Sequence, residues 1–288
     1  MSTTSAGRVT ALGVEEQMEL AEGAEADFMY AFEHGAPPEV QQALGMAQVR
    51  LGPVAVLAMR EDPTGGYWSK TLGFRADTPA TDDLVAEVLD VYRAHDNPLG
   101  VLQVPPGAMP DDWEDVCGRH GLVAGSTLVK LLRPADLDAE PATTDLRVGP
   151  AGPADALDWG LAYCRGFGMP EQPDLLAFIG AATGGADGFH PLAAWDGDRL
   201  VAGANLHVAG AAAAFCGAAT LPEARGRGAQ SVFMQLRVEA ARELGATWLS
   251  AETWKEVDGA HNPSLHNMHR AGFVDVYERT NYVWRATA

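Results

Sequence analysis

A glycine- and arginine-rich run at residues 221–231 carries the residue types best suited to hold a phosphate group. It follows an apolar segment, residues 211–221, that predicts a buried strand, and it precedes an apolar stripe with the four-residue spacing of a helix face. The first amides of a helix have no partner within it, and the helix dipole makes that end positive. Gly226 and Gly228 allow the backbone to aim these amides at one point, and the neighbouring arginines add positive charge. We therefore predict a binding site for a phosphate-bearing ligand. The helix stripe consists of Val232, Leu236, Ala240 and Leu244.

The same run also fits a basic surface turn whose glycines serve only the turn geometry. No Gly-Lys-Ser/Thr follows it, and its spacing is not the dinucleotide-binding G-x-G-x-x-G. The elements that follow bear on the choice. The sequence predicts a strand at residues 247–253, a short helix at residues 262–271, a Gly-Phe pair at 272–273, and strand-like runs at 274–278 and 282–284.

This order of elements, over residues 145–286, resembles the GNAT superfamily of acyl-CoA-dependent N-acetyltransferases. In the family pattern Q/R-x-x-G-x-G/A, Arg225 and Gly228 fill the first two fixed positions, whereas Gln230 stands where Gly or Ala is usual. The resemblance implies acetyl-CoA as cosubstrate, with its pyrophosphate at this turn, and no metal. The residues implied to contact CoA are Ala219, Leu221, Arg225, Gly226, Arg227, Gly228, Ala229, Gln230, Ser231 and Asn262.

Direct transfer from an acyl thioester to an amine needs a neutral amine, a polarised carbonyl and a proton for the leaving thiolate. The resemblance implies that a backbone N–H at residues 219–221 polarises the carbonyl. Glu252, near the end of a predicted strand, is the candidate base, the alternative being a structural ion pair. Met268 stands where the family often has a tyrosine acid and cannot donate a proton. His269 and Ser264, on the same predicted short helix, could supply the acid, and Tyr277 and Tyr282 are further candidates. The alternatives are a histidine that only faces solvent and a transfer without a dedicated acid.

Two further features have structural alternatives. The resemblance implies that Asn262 contacts the pantetheine arm of CoA, but an Asn-Pro-Ser sequence before a helix is also typical of a capping residue. Trp159, Tyr163 and Phe167 form an aromatic stripe at helical spacing, which is more often core. The resemblance implies instead that residues 167–173 border the acceptor site.

Bulk properties limit the class of partner. The formal net charge of −19 argues against nucleic acid. The three cysteines show no paired or metal-like spacing, which indicates a reducing compartment. No apolar run reaches spanning length, and residues 1–7 lack an apolar signal core. We expect a cytoplasmic protein without a membrane or nucleic-acid partner.

Two similar halves organise the chain. An acidic stretch at residues 134–142, with a proline near each end, predicts a linker. Strand, helix, strand and helix-end signals recur on both sides of it at a nearly constant offset, beginning at residues 68 and 215, 84 and 232, 99 and 247, and 121 and 272. We predict an α/β (α+β) protein with two GNAT-like domains at 1–134 and 145–288, joined by a linker at 135–144. Each domain would be a mixed, mostly antiparallel sheet flanked by helices.

The first half lacks the chemistry of the second. Its turn at residues 75–82 has no glycine, and three acidic residues would repel a pyrophosphate: Asp77, Asp82 and Asp83. We expect a degenerate domain that covers the second half, shapes the acceptor cleft or forms a homodimer, the alternative being an unrelated α/β domain. The predicted function is an N-acetyltransferase that acts on a primary amine of a small molecule or peptide by direct transfer. The alternatives are a CoA-binding sensor or scaffold and the transfer of a longer acyl group.

Overall fold

The computed structural model describes residues 4–186, 188–257 and 260–286. In these ranges the strands are β1 (Met46–Leu51), β2 (Val54–Met59), β3 (Lys70–Leu72), β4 (Leu99–Val104), β5 (Val123–Pro134), β6 (Arg147–Pro150), β7 (Leu192–Asp196), β8 (Arg199–Ala209), β9 (Ala212–Thr220), β10 (Trp248–Trp254) and β11 (Val274–Arg285). The α-helices are α1 (Ser5–Val9), α2 (Val14–His34), α3 (Pro38–Leu44), α4 (Asp82–Ala94), α5 (Trp113–His120), α6 (Ala156–Phe167), α7 (Pro173–Gly180), α8 (Ala229–Glu243) and α9 (Pro263–Arg270).

All these strands form one continuous sheet in the order β1-β2-β3-β4-β11-β5-β10-β9-β8-β7-β6. The pairings are antiparallel except for β3 with β4 and β9 with β10, so the sheet is mixed and mostly antiparallel, as predicted. The last strand of each half is exchanged. Strand β11, from the end of the chain, pairs with β4, whereas β5, which precedes the linker, pairs with β10 and β11. The sheet therefore runs across the predicted domain boundary, and the division at 135–144 stays a prediction.

Helices cover both faces of the sheet, and the strand alternation assigns each helix to a face. On β2, Ala55 and Leu57 pack with the cluster that contains Phe32 of α2, whereas Val54 and Val56 pack with α4. On β10, Leu249 packs with α8 and α9. Its neighbour Ser250 points to the other face and contacts α2. Helices α1, α2, α3, α6 and α7 thus share one face, and α4, α5, α8 and α9 share the other.

Helix α2 is 21 residues long and contacts strands of both halves, from β1 to β10. The sequence pattern does not reveal this helix. Its buried face includes Glu22, Glu25 and Glu33, and these charged residues interrupt the regular spacing of apolar residues from which a helix is predicted. No helix in the described ranges is long and apolar enough to cross a membrane.

Two local predictions are wrong in detail. The predicted stripe of α8 is not its buried face: Leu244 follows the helix and is 48% exposed. The buried residues lie one position later and include Arg237, whose charge breaks the apolar pattern. The strand-like runs at 274–278 and 282–284 are one strand, β11, with two register shifts where it pairs with β5.

Candidate active site

Strands β9 and β10 are paired only at their first residues and then separate. The parallel register joins Trp248 to Ala212 and ends at Ser250 with Ala214. The rest of β9 pairs with β8 alone, so its other edge is open toward β10. Backbone amides at such an edge are free to bind a ligand that enters between the two strands.

The open edge narrows the choice of the predicted carbonyl donor. The Leu221 amide donates to the Val201 carbonyl at 2.8 Å and is therefore occupied. Because amides alternate between the two sides of an antiparallel strand, the Ala219 amide also faces β8. The amides of Ala218 and Thr220 face the opening instead. Within the predicted range 219–221, the amide that faces the opening is therefore that of Thr220, and its role as the donor stays a prediction.

A β-bulge interrupts β9 beside this opening. The register with β8 shifts after Ala204, and Gly217 has a φ of 62°, which favours glycine. A Cβ atom at Gly217 would lie 2.1 Å from the Tyr163 hydroxyl oxygen, so the phenol packs directly on the bulge. Bulges of this kind re-aim backbone groups next to binding sites.

The glycine-rich turn leads directly into α8. Gly226 and Gly228 have φ values of 78° and 88°, and α8 begins at the next residue. No residue in the described ranges accepts a hydrogen bond from the backbone amides of residues 226–231. Six consecutive unpaired amides at the positive end of a helix form a strong anion site.

The side chains of the turn hold it in place. Gln230 donates from Nε2 to the Thr220 hydroxyl at 2.7 Å, which joins α8 to the end of β9. Arg225 donates to the Thr220 carbonyl at 3.3 Å and to the Gly166 carbonyl at 3.5 Å. Gln230, which departs from the family pattern, thus holds the turn in place through its side-chain amide.

Arg227 differs from its predicted role as a free cation. Its guanidinium lies 2.5 Å from Asp145 and 2.7 Å from Asp196. Hydrogen bonds from Arg227 lower the pKa of both carboxyl groups, so all three groups are charged and the local charge is net negative. The helix amides and Arg225 supply the positive potential, while Arg227 joins the turn to Asp145, just after the linker, and to the β7–β8 hairpin.

The linker packs against the turn. A Cβ atom at Gly228 would lie 2.3 Å from the Thr143 carbonyl oxygen, and Thr144 donates from its hydroxyl to the Arg227 carbonyl. Beside this contact is a cavity of about 260 Å³ between the linker, α8 and α9. Its lining includes Ser231, which is the last residue of the predicted CoA contacts.

Asn262 caps α9. Its Oδ1 accepts from the amides of Ser264 and Leu265, and its Nδ2 donates to the Thr253 hydroxyl and the Trp254 carbonyl. All of its side-chain hydrogen-bonding directions are used, which is the capping alternative. A CoA contact by this side chain stays a prediction.

Glu252 lies in a buried network of charges. Arg279 bonds both Glu252 and Glu25, and Lys130 bonds Glu25 at 2.7 Å. Burial raises the pKa of Glu252, and the nearby Glu25 carboxylate raises it further. The side chain is 22% exposed, so it combines contact with solvent and a raised proton affinity.

The structure does not bring His269 to Glu252. Glu252 lies on the α2 face, whereas α9 packs on the opposite face through Leu265 and Met268. The His269 imidazole is 42% exposed and pairs with Asp275 at 2.7 Å. Its role as the acid has no support from these contacts, because its proton is directed at a surface carboxylate.

Two tyrosines lie beside the opening, and the sequence pattern does not indicate this position for either of them. Burial raises the pKa of Tyr163 well above its usual value, and Tyr67 and Cys216 are near enough to raise it further. Burial also raises the pKa of Tyr67, which belongs to the first half and lies 4.1 Å from the Lys70 ammonium, measured to the ring centre. The stripe containing Tyr163 was visible, but its position against a bulge was not. Phe167, at the end of that stripe, is 47% exposed rather than core.

The sequence itself matches no protein-family model and no curated protein. The structure, however, is similar to solved structures over most of its length. A tandem GNAT protein from the clavulanic acid biosynthesis pathway has 14% identity and a TM-score of 0.58, covering 96% of this chain and 98% of its own. A GCN5-related N-acetyltransferase from Kribbella flavida has 18% identity and a TM-score of 0.52, covering 89% of this chain and 96% of its own. Another from Sphaerobacter thermophilus has 11% identity and a TM-score of 0.56, covering 83% of this chain and 84% of its own.

These similarities establish the class of fold. The chain has the fold of the GNAT N-acetyltransferases, in the tandem arrangement, as the sequence analysis predicted.

Proposed function

We propose that this protein is an N-acyltransferase that moves an acetyl group from acetyl-CoA to a primary amine of a small molecule or peptide, by direct transfer in a ternary complex. The observation that carries the proposal is the run of six amides at residues 226–231 that have no acceptor within the described ranges. This run lies just after a strand that separates from its neighbour. The turn would bind the pyrophosphate, and the opening between β9 and β10 would admit the pantetheine arm.

The first half is expected to take no CoA at the corresponding turn. There several amides are already used: Thr78 donates to the Arg75 carbonyl, Ala80 to the Ala108 carbonyl and Leu84 to the Thr81 hydroxyl. Asp82 adds a negative charge at the start of α4. A turn with paired amides and a carboxylate is a poor anion site.

In the proposed reaction Glu252 removes a proton from the amine, directly or through water. Its raised pKa matches this task better than an ordinary glutamate would. The amide of Ala218 or Thr220 polarises the thioester carbonyl. We assign the acid to Tyr163, because its hydroxyl lies against the bulge of β9 and burial keeps it protonated. The thiolate takes the phenolic proton, and the amine nitrogen forms the new C–N bond as the C–S bond breaks.

The first test measures CoA binding by calorimetry. Gly226→Ala removes the freedom needed at a φ of 78°, and the matched control Gly210→Ala changes a glycine of similar φ (65°) in a hairpin away from the turn. Neither added methyl group meets a neighbour within 4 Å. We expect the first variant to lose CoA affinity by about tenfold or more, which is roughly the cost of one strained residue. Equal affinity in both variants would reject the site.

The second test separates transfer from binding alone. Acetyl-CoA is incubated with a panel of primary amines, and the release of free thiol is followed. Acetyl-CoA-dependent thiol release above background supports the transferase. Tight binding without release for any amine would favour the CoA-binding sensor or scaffold instead.

Location and partners belong to the same proposal. Cys117, Cys164 and Cys216 are free thiols, which supports the predicted reducing, cytoplasmic compartment. The absence of nucleic-acid and membrane partners and the homodimer stay predictions.

A further inference from the structure

The loop between β10 and α9 brings one carboxylate and two imidazoles together. The Glu256 Oε1 atom lies 3.0 Å from the His266 Nε2 atom and 3.7 Å from the His261 Nδ1 atom. The two imidazole rings are 4.4 Å apart between centres. All three candidate ligand atoms lie within 4.8 Å of one another.

This spacing is that of an ion-paired cluster and is also compatible with the shared coordination of one metal ion. Zinc bonds to His nitrogen and carboxylate oxygen are about 2.0–2.2 Å long, so tetrahedral ligand atoms lie roughly 3.4 Å apart. The two distances from Glu256 Oε1 lie on either side of that value. Two imidazoles with one carboxylate suit zinc and its neighbours in the first transition row, whereas magnesium and calcium prefer oxygen alone.

The carboxylate is also held in place. The Asn262 backbone amide donates to Glu256 Oε1 at 2.7 Å. Fixing a ligand by a hydrogen bond from outside the coordination sphere is a common feature of metal sites. The side chains of His261 and His266 are 67% and 46% exposed, which leaves a path for an ion from solvent.

We propose that Glu256, His261 and His266 form a binding site for one divalent transition-metal ion of the zinc class, with a coordination position left for water. The site is separate from the proposed acyl transfer and replaces the sequence-based expectation of no metal. A bound ion would tie the loop after β10 to the start of α9, and so fix the segment that follows Glu252.

The test uses the full, untagged chain after chelator treatment. Zn²⁺ binding is measured by calorimetry, and Co²⁺ absorption reports the coordination geometry. We expect one Zn²⁺ per chain, and the visible Co²⁺ bands of a four-coordinate site. His261→Gln and His266→Gln should each weaken binding by about tenfold or more.

The matched control is His269→Gln. His269 lies on the same helix as His266 and is similarly exposed, but it pairs with Asp275 outside the cluster. This variant should bind Zn²⁺ as the wild type does. Circular dichroism in EDTA checks that all variants fold. No binding by the wild type at micromolar free Zn²⁺, or equal loss in all three variants, would overturn the proposal; neither readout depends on CoA.

Discussion

Glu22 and Arg279 are 257 positions apart in the sequence, yet their side chains meet at 2.5 Å and both are fully buried. Arg279 comes from the last strand and Glu22 from α2. The same guanidinium also bonds Glu25 and Glu252. One arginine therefore holds three carboxylates at the place where α2 crosses the centre of the sheet.

The first prediction concerns this arginine. Arg279→Met leaves Glu22 buried without its cation, while Glu25 keeps Lys130, and should reduce the free energy of unfolding by about 3–5 kcal/mol. The control Arg242→Met removes a surface pair with Asp138, worth about 1 kcal/mol or less. Urea denaturation measures both. A loss for Arg279→Met no larger than that of the control would show that the network contributes nothing to stability.

Glu33 gives a prediction about pH. This residue of α2 is fully buried, and neither carboxyl oxygen has a hydrogen-bond partner in the described part of the chain. Burial raises the pKa of Glu33 well above 4.5, with a further rise from Asp62. The folded state therefore keeps a proton that the unfolded chain releases, and stability is lost as pH rises from about 4.5 through the folded-state pKa.

Glu33→Gln should remove that loss, because the amide does not titrate. The variant should gain stability relative to wild type as pH rises from 4.5 to 8, measured by urea denaturation across that range. The exposed Glu39→Gln serves as control and should leave stability within about 0.5 kcal/mol. A constant difference between Glu33→Gln and wild type at every pH would contradict the buried protonated carboxyl.

The charges around Arg227 lead to two changes of opposite sign. Asp145→Asn with Asp196→Asn frees the guanidinium for the phosphate and should tighten CoA binding about two- to fivefold at low salt. Arg227→Gln leaves both carboxylates unpaired beside the turn and should weaken binding. Both effects should shrink at high salt, since these groups are exposed. Asp90→Asn, in a distant surface pair, is the control. Weaker binding by the double Asn variant would reverse the assigned sign.

The last prediction tests Glu252 by its pH profile. If this carboxylate is the base, kcat/KM rises with pH through a pKa above that of an ordinary glutamate, since burial and Glu25 raise it. Glu252→Gln should lower kcat/KM by about 10²–10⁴-fold and abolish that limb. Glu278→Gln, an exposed carboxylate paired with Lys255, should change neither. An unchanged profile in Glu252→Gln would leave only the ion-pair role.

The sequence predicts those parts of the candidate site that depend on neighbouring residues alone. The turn at 225–231 was found because positive φ demands glycine, and a helix must begin where the apolar pattern resumes. The neutralisation of Arg227 was not predictable, because its partners Asp145 and Asp196 are 82 and 31 positions away. The acidic linker looked like a simple spacer, whereas its end packs on the turn.

Buried polar residues account for the other failures. Arg237 is buried in α8 over the ring of Phe215, so counting apolar residues gave the wrong helix face. The sequence leaves open whether Tyr163 is a core residue or a site residue. Its spacing is that of a core residue, whereas the contact that places it beside the opening is with Gly217, 54 positions later. Whether such a residue lies in the core or at the site depends on side-chain packing between distant segments. The spacing of residues along the chain carries no information about that packing.

The exchange of β5 and β11 determines how the protein can be made. During synthesis the first half emerges with a gap beside β4, and its own last strand, β5, finds no partner until β10 and β11 have left the ribosome. Neither half can finish its sheet alone, so the emergence of β11 is the event that closes both. A truncation that removes only β11 would therefore damage the half farthest from it in sequence as well as its own.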